Sequence, residues 1–278
     1  MDCNRQFIGG KRLDTQELIH EYIEGKQTIC QLSQKYKVNK STIWRRLKDM
    51  RHIRVISKEK DVVVNMDTTY WGRNFGLMVI KDTFRNKILW YKFVRYETVS
   101  DYLEGVEWLK NNGFKIYGIV CDGLGGLFQA LRQYRVQMCQ FHQMMIVRRY
   151  LTSKPELPAA NELLKISNLL THTDKDSFIG LLNQWYDKWK DFIQERTTDN
   201  KTGKSSYTHK RLRSAYLSLQ RNMYWLWTFY DYPELLIPNT NNALEGVFTD
   251  IKTKLRVHSG ISKYRRMALI QEYIARHY

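Results

Sequence analysis

The chain has 278 residues, of which 45 are Lys or Arg and 28 are Asp or Glu, so its formal net charge at pH 7 is +17. Its 43% hydrophobic and 13% aromatic residues suffice for a buried core and exclude an intrinsically disordered chain. No apolar run approaches the ~20 residues that cross a bilayer. The N-terminus has no basic and then apolar signal pattern, so we expect neither a membrane protein nor a secreted one. The four cysteines are irregularly spaced and do not indicate a disulfide framework.

The positive charge favours a polyanionic partner, because each neutralised phosphate releases condensed counterions. The excess of basic residues is greatest, per residue, over residues 1–60 and 239–278. Charge alone does not identify a nucleic-acid-binding protein, since many basic proteins bind none.

Three short helices are predicted in the first 50 residues. The first follows an N-cap offered by Leu13-Asp14-Thr15 and ends at Gly25, and the second is capped by Thr28. A tight turn at Lys37-Val38-Asn39 leads into the third. Two short helices joined by such a turn are typical of a helix-turn-helix.

The outer face of the third helix would carry side chains of the types that reach phosphates and base edges in a major groove. These residues are Lys40, Ser41, Thr42, Arg45 and Arg46. A three-helix bundle with a solvated basic face is the alternative, but the spacing and the polar face favour DNA binding. We therefore predict a helix-turn-helix domain over residues 1–52 and a linker over 53–60.

A pattern of strands begins at Asp61, and the order of elements predicts an α/β domain. Three apolar runs with short connections indicate an antiparallel meander, and a helix, a strand, a short helix and a strand follow. The expected bounds are Val62–Asp67, Phe75–Ile80, Ile88–Val94, Val99–Leu109, Ile116–Cys121, Leu127–Leu131 and Val136–Cys139. This order is that of the ribonuclease H-like fold, a mixed sheet flanked by helices.

The rest of the chain is expected to be mainly helical. We assign 61–142 to the first part of the ribonuclease H-like domain and 143–238 to a helical insertion. Within the insertion, the polar stretch from Thr197 to Tyr207 is predicted to be an exposed loop. Residues 239–278 form the last part of the same domain and begin with a helix from Asn241 to Leu255.

Two aspartates close apolar strands of the predicted sheet, Asp67 after the first and Asp122 after the fourth. A carboxylate in such a place is costly to desolvate unless it is paired or binds a cation. The two strands are neighbours in the predicted order, so the carboxylates would repel each other without a positive charge between them. Oxygen ligands of this kind select Mg²⁺ or Mn²⁺. Glu245, on the helix after the insertion, is the candidate third ligand, although a structural role explains each acid taken singly.

A Cys-x2-His element lies at Cys139-Gln140-Phe141-His142. This spacing can direct both side chains to one ion, and Cys121 lies on a nearby strand, but four zinc ligands are not evident. The other interpretation, which we favour, is that Cys139 is a core thiol and His142 caps the next helix or supports the carboxylates.

Together these motifs resemble bacterial insertion-sequence transposases of the DDE class, in the group related to the Mutator elements. The resemblance covers residues 12–278. It is carried by Asn65-Met66-Asp67-Thr68-Thr69-Tyr70, Val120-Cys121-Asp122-Gly123 with Gly126-Leu127, Cys139-Gln140-Phe141-His142, and Asn239-Thr240-Asn241-Asn242-Ala243-Leu244-Glu245-Gly246. It implies that Asp67, Asp122 and Glu245 bind catalytic Mg²⁺ or Mn²⁺, and that Cys139 and His142 support them.

The resemblance also implies metal-dependent cleavage and strand transfer on double-stranded DNA, both element ends and target. A homo-oligomer on DNA and a cytoplasmic, nucleoid-associated location are expected. Basic residues near the C-terminus are candidates for phosphate contacts, with a solvated helix face as the alternative. They are Lys252, Lys254, Arg256, Arg265 and Arg266. Two other functions stay open: a catalytically silent, transposase-derived DNA-binding protein, and a structure-specific nuclease on the same fold.

Overall fold

The computed structural model describes residues 13–48, 57–258 and 260–278. Two compact units are present, one drawn from Met1–Ile56 and Gly246–Tyr278 and the other formed by Ser57–Glu245. Residues 1–12 and 49–52 of the predicted 1–52 domain, and half of the predicted linker over 53–60, lie outside the described residues. Within the described ranges, no helix is both long and apolar enough to cross a membrane.

The first unit begins with three short helices, α1 (Thr15–Ile23), α2 (Ile29–Tyr36) and α3 (Lys40–Lys48). The Asp14 carboxylate caps α1 by accepting a hydrogen bond from the Gln16 N–H, and Thr28 and Gln31 form a reciprocal capping box on α2. Lys37, with a left-handed φ of 55°, ends α2 and starts the turn. The three predicted helices and their connecting turn are confirmed.

The second unit is built on a five-stranded sheet. Its strands are β1 (Asp61–Tyr70), β2 (Gly76–Asp82), β3 (Ile88–Val94), β4 (Lys115–Cys121) and β5 (Val136–Met138). Their order across the sheet is β3-β2-β1-β4-β5. The first three strands pair antiparallel, whereas β4 is parallel to β1 and β5 is parallel to β4. This confirms the predicted ribonuclease H-like mixed sheet.

Successive side chains along β1 point to opposite faces of the sheet. Val62 points to one face of the sheet, where it packs in a core with side chains of helix α4 (Val99–Asn111). Val63 points the other way and packs with Val120 of β4. Because side chains alternate with a period of two, Asp67 lies on the Val63 face.

The helical insertion is also confirmed. A short helix, α5 (Leu127–Ala130), connects β4 to β5. After β5 come α6 (Gln140–Leu151), α7 (Pro158–Asn168), α8 (Lys175–Gln194), α9 (Lys210–Leu226), α10 (Thr228–Asp231) and a 3₁₀ turn at Pro233–Leu235. Their core is rich in aromatic side chains, including the buried Phe178, Trp185 and Trp227.

The stretch from Thr197 to Tyr207, predicted to be a loop, instead carries most of an antiparallel hairpin of β6 (Arg196–Thr198) and β7 (Ser205–Tyr207). The guanidinium groups of Arg196 and Arg213 lie 4.6 and 4.2 Å from the centre of the Tyr207 ring. These cation–π contacts stabilise the pairing of β6 with β7, which cannot be predicted from so polar a sequence.

Two helices end the chain, α11 (Asn242–Arg256) and α12 (Lys263–His277). The division between the units falls within α11, after Glu245. The sequence predicts that 239–278 belong as a whole to the ribonuclease H-like domain, but the residues from Gly246 onward group with the helix-turn-helix. Contacts inside this unit give the reason: the His258 Nε2 lies 2.9 Å from the Tyr22 carbonyl oxygen, and the Arg265 guanidinium lies 3.6 Å from the Trp44 ring centre.

Candidate functional site

Asp67 lies inside β1, three residues before its end, where it pairs with Val79 of β2. We predicted that the strand would end at Asp67. It runs on to Tyr70 because β2 continues to pair with it after β4 has ended. The parallel register joins Asn65 to Val120, and two residues further along it brings Asp67 level with Asp122. The structure therefore places both acids together, as expected from adjacent strands.

The Asp67 carboxylate is largely removed from water, with 8% of the residue exposed. Its Oδ1 accepts a hydrogen bond of 2.6 Å from the Thr68 N–H. Burial, and then the negative charge of Asp122, raise the pKa of Asp67 to about 8. A carboxyl group with this pKa holds a proton at neutral pH unless a cation replaces it.

His142, in the first turn of α6, lies between the two other predicted acids. Its Nδ1 is 2.8 Å from Oδ1 of Asp122, and its Nε2 is 4.0 Å from Oε1 of Glu245. The Nδ1 atom is within hydrogen-bonding distance of Asp122, although it makes no well-aligned hydrogen bond to any described residue. Burial acts to lower the pKa of His142, but Asp122 and Cys139 outweigh it and raise this pKa to about 11. The imidazolium thus offsets part of the carboxylate charge.

Glu245 reaches the site because Asn241, just before α11, is anchored to β1. The Asn241 Oδ1 accepts a hydrogen bond of 2.7 Å from Asn65, and its Nδ2 donates to the Met66 carbonyl oxygen at 3.1 Å. The same Nδ2 lies 3.5 Å from Oδ1 of Asp122. Asn241 is fully buried and its carbonyl oxygen accepts the Glu245 N–H at 3.1 Å. Its amide therefore joins the start of the glutamate helix to both aspartate strands.

Replacing Asn241 with Ala is expected to destabilise the protein by about 1–3 kcal/mol, the usual cost of a buried polar group that loses its partner. Asn65, also fully buried, would lose the acceptor for its Nδ2. Urea denaturation would measure the loss. Asn242→Ala, at an exposed neighbour, is the control and should have a much smaller effect. Equal stability of the two variants would show that the Asn241 contacts contribute little.

Glu97 is a nearby half-buried acid that the sequence does not single out. The Tyr102 hydroxyl donates a hydrogen bond to its Oε1 and also lies 3.1 Å from the Thr68 hydroxyl. Burial, together with the charge of Asp122, raises the pKa of Glu97. The available signal was its position one residue before Thr98, the N-cap of α4, where an acid after a strand resembles Asp122.

Cys139 is buried, and its Sγ accepts a hydrogen bond from the Asn241 N–H at 3.3 Å. Single donor atoms of Asp122, Cys139 and His142 all lie within 4.8 Å of one another. The thiol is thus close enough to share an ion with His142, but its contact with the Asn241 backbone fits the supporting role that we favoured.

The acids fit a hard divalent cation by the chemistry of their donors. Asp67, Asp122 and Glu245 offer carboxylate oxygens, which Mg²⁺ and Mn²⁺ prefer over nitrogen or sulfur. Burial, and then the charge of Asp122, raise the pKa of Asp67, and the positive charge of His142 only partly opposes them. A bound cation would supply the missing positive charge.

In the first unit, Lys40, Ser41 and Arg45 are exposed on α3, while Thr42 and Arg46 are half-buried. Ile43 and Leu47 are buried on the opposite side, so α3 has the polar outer face that the sequence predicts.

The basic residues near the C-terminus that are predicted to contact phosphate differ in whether their charges are already paired. Lys252 and Arg256 are exposed on α11. The ammonium group of Lys254 forms an ion pair with Glu24, which also contacts His277 at 2.6 Å. The charge of Lys254 is therefore engaged within its own unit, and Arg265 covers the Trp44 ring.

Comparison with known proteins identifies one segment of the chain. The family described as "helix-turn-helix, Psq domain" matches residues 17–52, which confirms the predicted helix-turn-helix. No curated protein sequence matches the chain.

Solved structures give only distant likenesses. A Drosophila P element transposase strand transfer complex has 12% identity and a TM-score of 0.46, with 99% of this chain and 93% of that chain covered. The HTLV-2 integrase catalytic core domain in complex with magnesium has 16% identity and a TM-score of 0.21, with 55% and 94% covered. The fold is established by the order and directions of its own strands.

Proposed function

We propose that this protein is a DNA transposase of the DDE type, which cleaves DNA strands and transfers them at the ends of a mobile element. The observation that carries the proposal is that Asp67 and Asp122 follow one another across neighbouring strands, while His142 lies 2.8 Å from Asp122 and 4.0 Å from Glu245. Glu245 comes from a helix more than 120 residues beyond the second aspartate. A helix-turn-helix in the same chain supports DNA as the substrate.

Each residue of the site has a distinct part in this chemistry. Asp67, Asp122 and Glu245 would hold Mg²⁺ or Mn²⁺, which when bound supplies Lewis-acid activation of the attacking oxygen and stabilises the leaving 3′ oxygen. His142 holds a positive charge beside Asp122 and Glu245. Asn241 positions Glu245 relative to the aspartate strands. Cys139 anchors the Asn241 backbone, so its part is structural.

A cleavage assay tests the function directly. Purified protein is incubated with Mg²⁺ and DNA that carries both flanks of its own gene, and the products are resolved on a denaturing gel. The proposal expects nicks at defined flanking positions and, on longer incubation, joined products in a target plasmid. Nicks scattered over any branched DNA, without joined products, would favour the nuclease. Binding without cleavage would favour the catalytically silent DNA-binding protein.

The silent protein is the second candidate because the first unit alone could bind DNA. Two observations argue against the silent protein: the pKa of Asp67 is raised, and His142 lies near both Asp122 and Glu245. DNA binding alone does not require this arrangement of acids. Membership of the Mutator-related bacterial group, assembly into a homo-oligomer and a nucleoid-associated location rest on the motif resemblance.

The double variant Arg45→Gln with Arg46→Gln is expected to weaken binding to the element ends and to lower the salt dependence of binding. Each lost phosphate contact should reduce the slope of log K against log salt by about 0.9. Fluorescence anisotropy at several salt concentrations measures this slope. Lys26→Gln with Lys35→Gln, exposed in the same unit, removes equal charge and serves as the control. The same slope in wild type and the arginine variant would exclude α3 as the DNA-reading helix.

A further inference from the structure

A cleft of about 440 Å³ opens beside the loop that follows Asp122. Its lining comes from this loop, from Phe128 of α5, and from α6 and α9. A Cβ added to Gly125 would meet no atom within 4 Å, and Gly126 has a φ of +83° that favours glycine. The backbone of the loop is therefore open to close approach by a ligand.

The cleft is positively charged. Arg149 of α6 and Arg221 of α9 line it, and none of the described residues that line it is acidic. Both arginines are exposed, and neither forms an ion pair with a described carboxylate. The Arg221 Nε donates to the Leu217 carbonyl oxygen at 3.2 Å, which fixes the side chain and leaves the terminal guanidinium nitrogens for a ligand. Arginine in this arrangement suits phosphate.

One face of α6 connects the acids to this cleft. His142, beside Asp122, is followed at helical spacing by Ile146 and Arg149, both in the cleft lining. Seven residues of helix span about 10.5 Å, and a DNA strand rises about 3.4 Å per nucleotide. Arg149 is thus about three nucleotide steps along the helix from His142.

The two arginine-bearing helices are held together by buried polar contacts. Gln143 is fully buried on α6. Its Nε2 donates to the Ser218 hydroxyl of α9 at 3.0 Å, and its Oε1 accepts from the Asn222 side chain at 2.7 Å. Because α6 and α9 are held together in this way, the backbone positions of the two arginines are fixed before DNA binds. Binding therefore costs little conformational entropy of the backbone.

We propose that Arg149 and Arg221 bind backbone phosphates of the DNA strand that runs from the acidic site, with Arg149 about three nucleotides from the scissile position. The inference deepens the proposed function, because it names how the same site holds its substrate. Under this inference, two arginines of the insertion contact DNA in addition to the helix-turn-helix, from which they are remote in sequence.

The test is the salt dependence of DNA binding by the full chain, measured with EDTA so that cleavage is not needed. Arg149→Gln with Arg221→Gln is expected to lower the slope of log K against log salt by about 2, one unit for each lost contact. Arg132→Gln with Arg148→Gln removes the same charge from exposed positions outside the cleft and should leave the slope unchanged. Arg149→Lys with Arg221→Lys should keep most of the wild-type slope, and thermal unfolding checks that every variant folds.

An unchanged slope in the glutamine variant, or an equal loss in the control, would overturn the inference. So would a lysine variant that behaves like the glutamine variant, because the arginines would then act through packing. Deoxyadenosine monophosphate is the probe for a free-nucleotide site. If it stabilises wild type but not the glutamine variant while the DNA slope is unchanged, the cleft binds free nucleotide and not the strand. A lowered slope in a chain that never cleaves DNA would refute the transposase function and leave this inference standing.

Discussion

Asp67→Asn is expected to reduce Mg²⁺-dependent strand cleavage by about 10³-fold or more, since loss of several kcal/mol of charge stabilisation at a metal site corresponds to such a factor. Asp67 is the most deeply buried of the three acids, and its carboxyl group is close enough to Asp122 for that charge to raise its pKa. An amide in its place carries no negative charge and is a poorer ligand for a hard cation. DNA binding in EDTA should be unchanged, because α3 belongs to the other unit.

Asp61→Asn is the matched control for this variant. Asp61 begins the same strand but is exposed, and it should keep wild-type cleavage. Asp122→Asn and Glu245→Gln should each behave like Asp67→Asn. Substantial cleavage by any of these three variants would remove that residue from the proposed catalytic site.

The stability of the metal-free protein is expected to fall as pH rises from 5 to 9. The folded-state pKa of Asp67 is about 8, against 3.8 for an ordinary aspartate, so between these values the folded protein holds a proton that the unfolded chain has released. The folded-state pKa of His142 is about 11, against 6.5, so its stabilising charge is fully present below pH 6.5 and is lost as pH rises through 11. Both groups bind more protons when folded, and each lowers stability with pH by at most about 1.4 kcal/mol per unit.

Urea denaturation in EDTA at pH 5, 7 and 9 measures this dependence. Asp67→Asn should flatten it between pH 5 and 8, and His142→Gln should flatten it above pH 7. His172→Gln, at an exposed histidine, should leave the dependence unchanged. A wild-type protein that becomes more stable between pH 5 and 8 would contradict the charge balance described for the site.

Much of the ribonuclease H-like fold could be predicted because its strands are continuous apolar runs in a recognisable order. Periodicity locates an amphipathic helix but does not say which core it will join. For this reason α11 was assigned whole to the ribonuclease H-like domain, although its residues after Glu245 group with the helix-turn-helix. The hairpin of β6 and β7 was missed because its strands are three residues long and polar.

The proximity of Asp67 and Asp122 could be predicted, because each follows an apolar run and the two strands are neighbours in the predicted order. Their supporting contacts were harder to predict. Asn65 and Asn241 are 176 residues apart in sequence, and no local pattern pairs them. The engagement of Lys254 by Glu24 likewise depends on tertiary structure, so composition alone made it look available to DNA.

Manganese binding followed by electron paramagnetic resonance tests the central claim, that three distant carboxylates form one metal site. Titration of Mn²⁺ into wild-type protein should show bound ion, and Asp67→Asn, Asp122→Asn and Glu245→Gln should each lose it or bind it at least tenfold more weakly. Asp61→Asn should bind as wild type does. Bound Mn²⁺ of unchanged affinity in any of the three acid variants would show that this acid is not part of the site and would contradict the account.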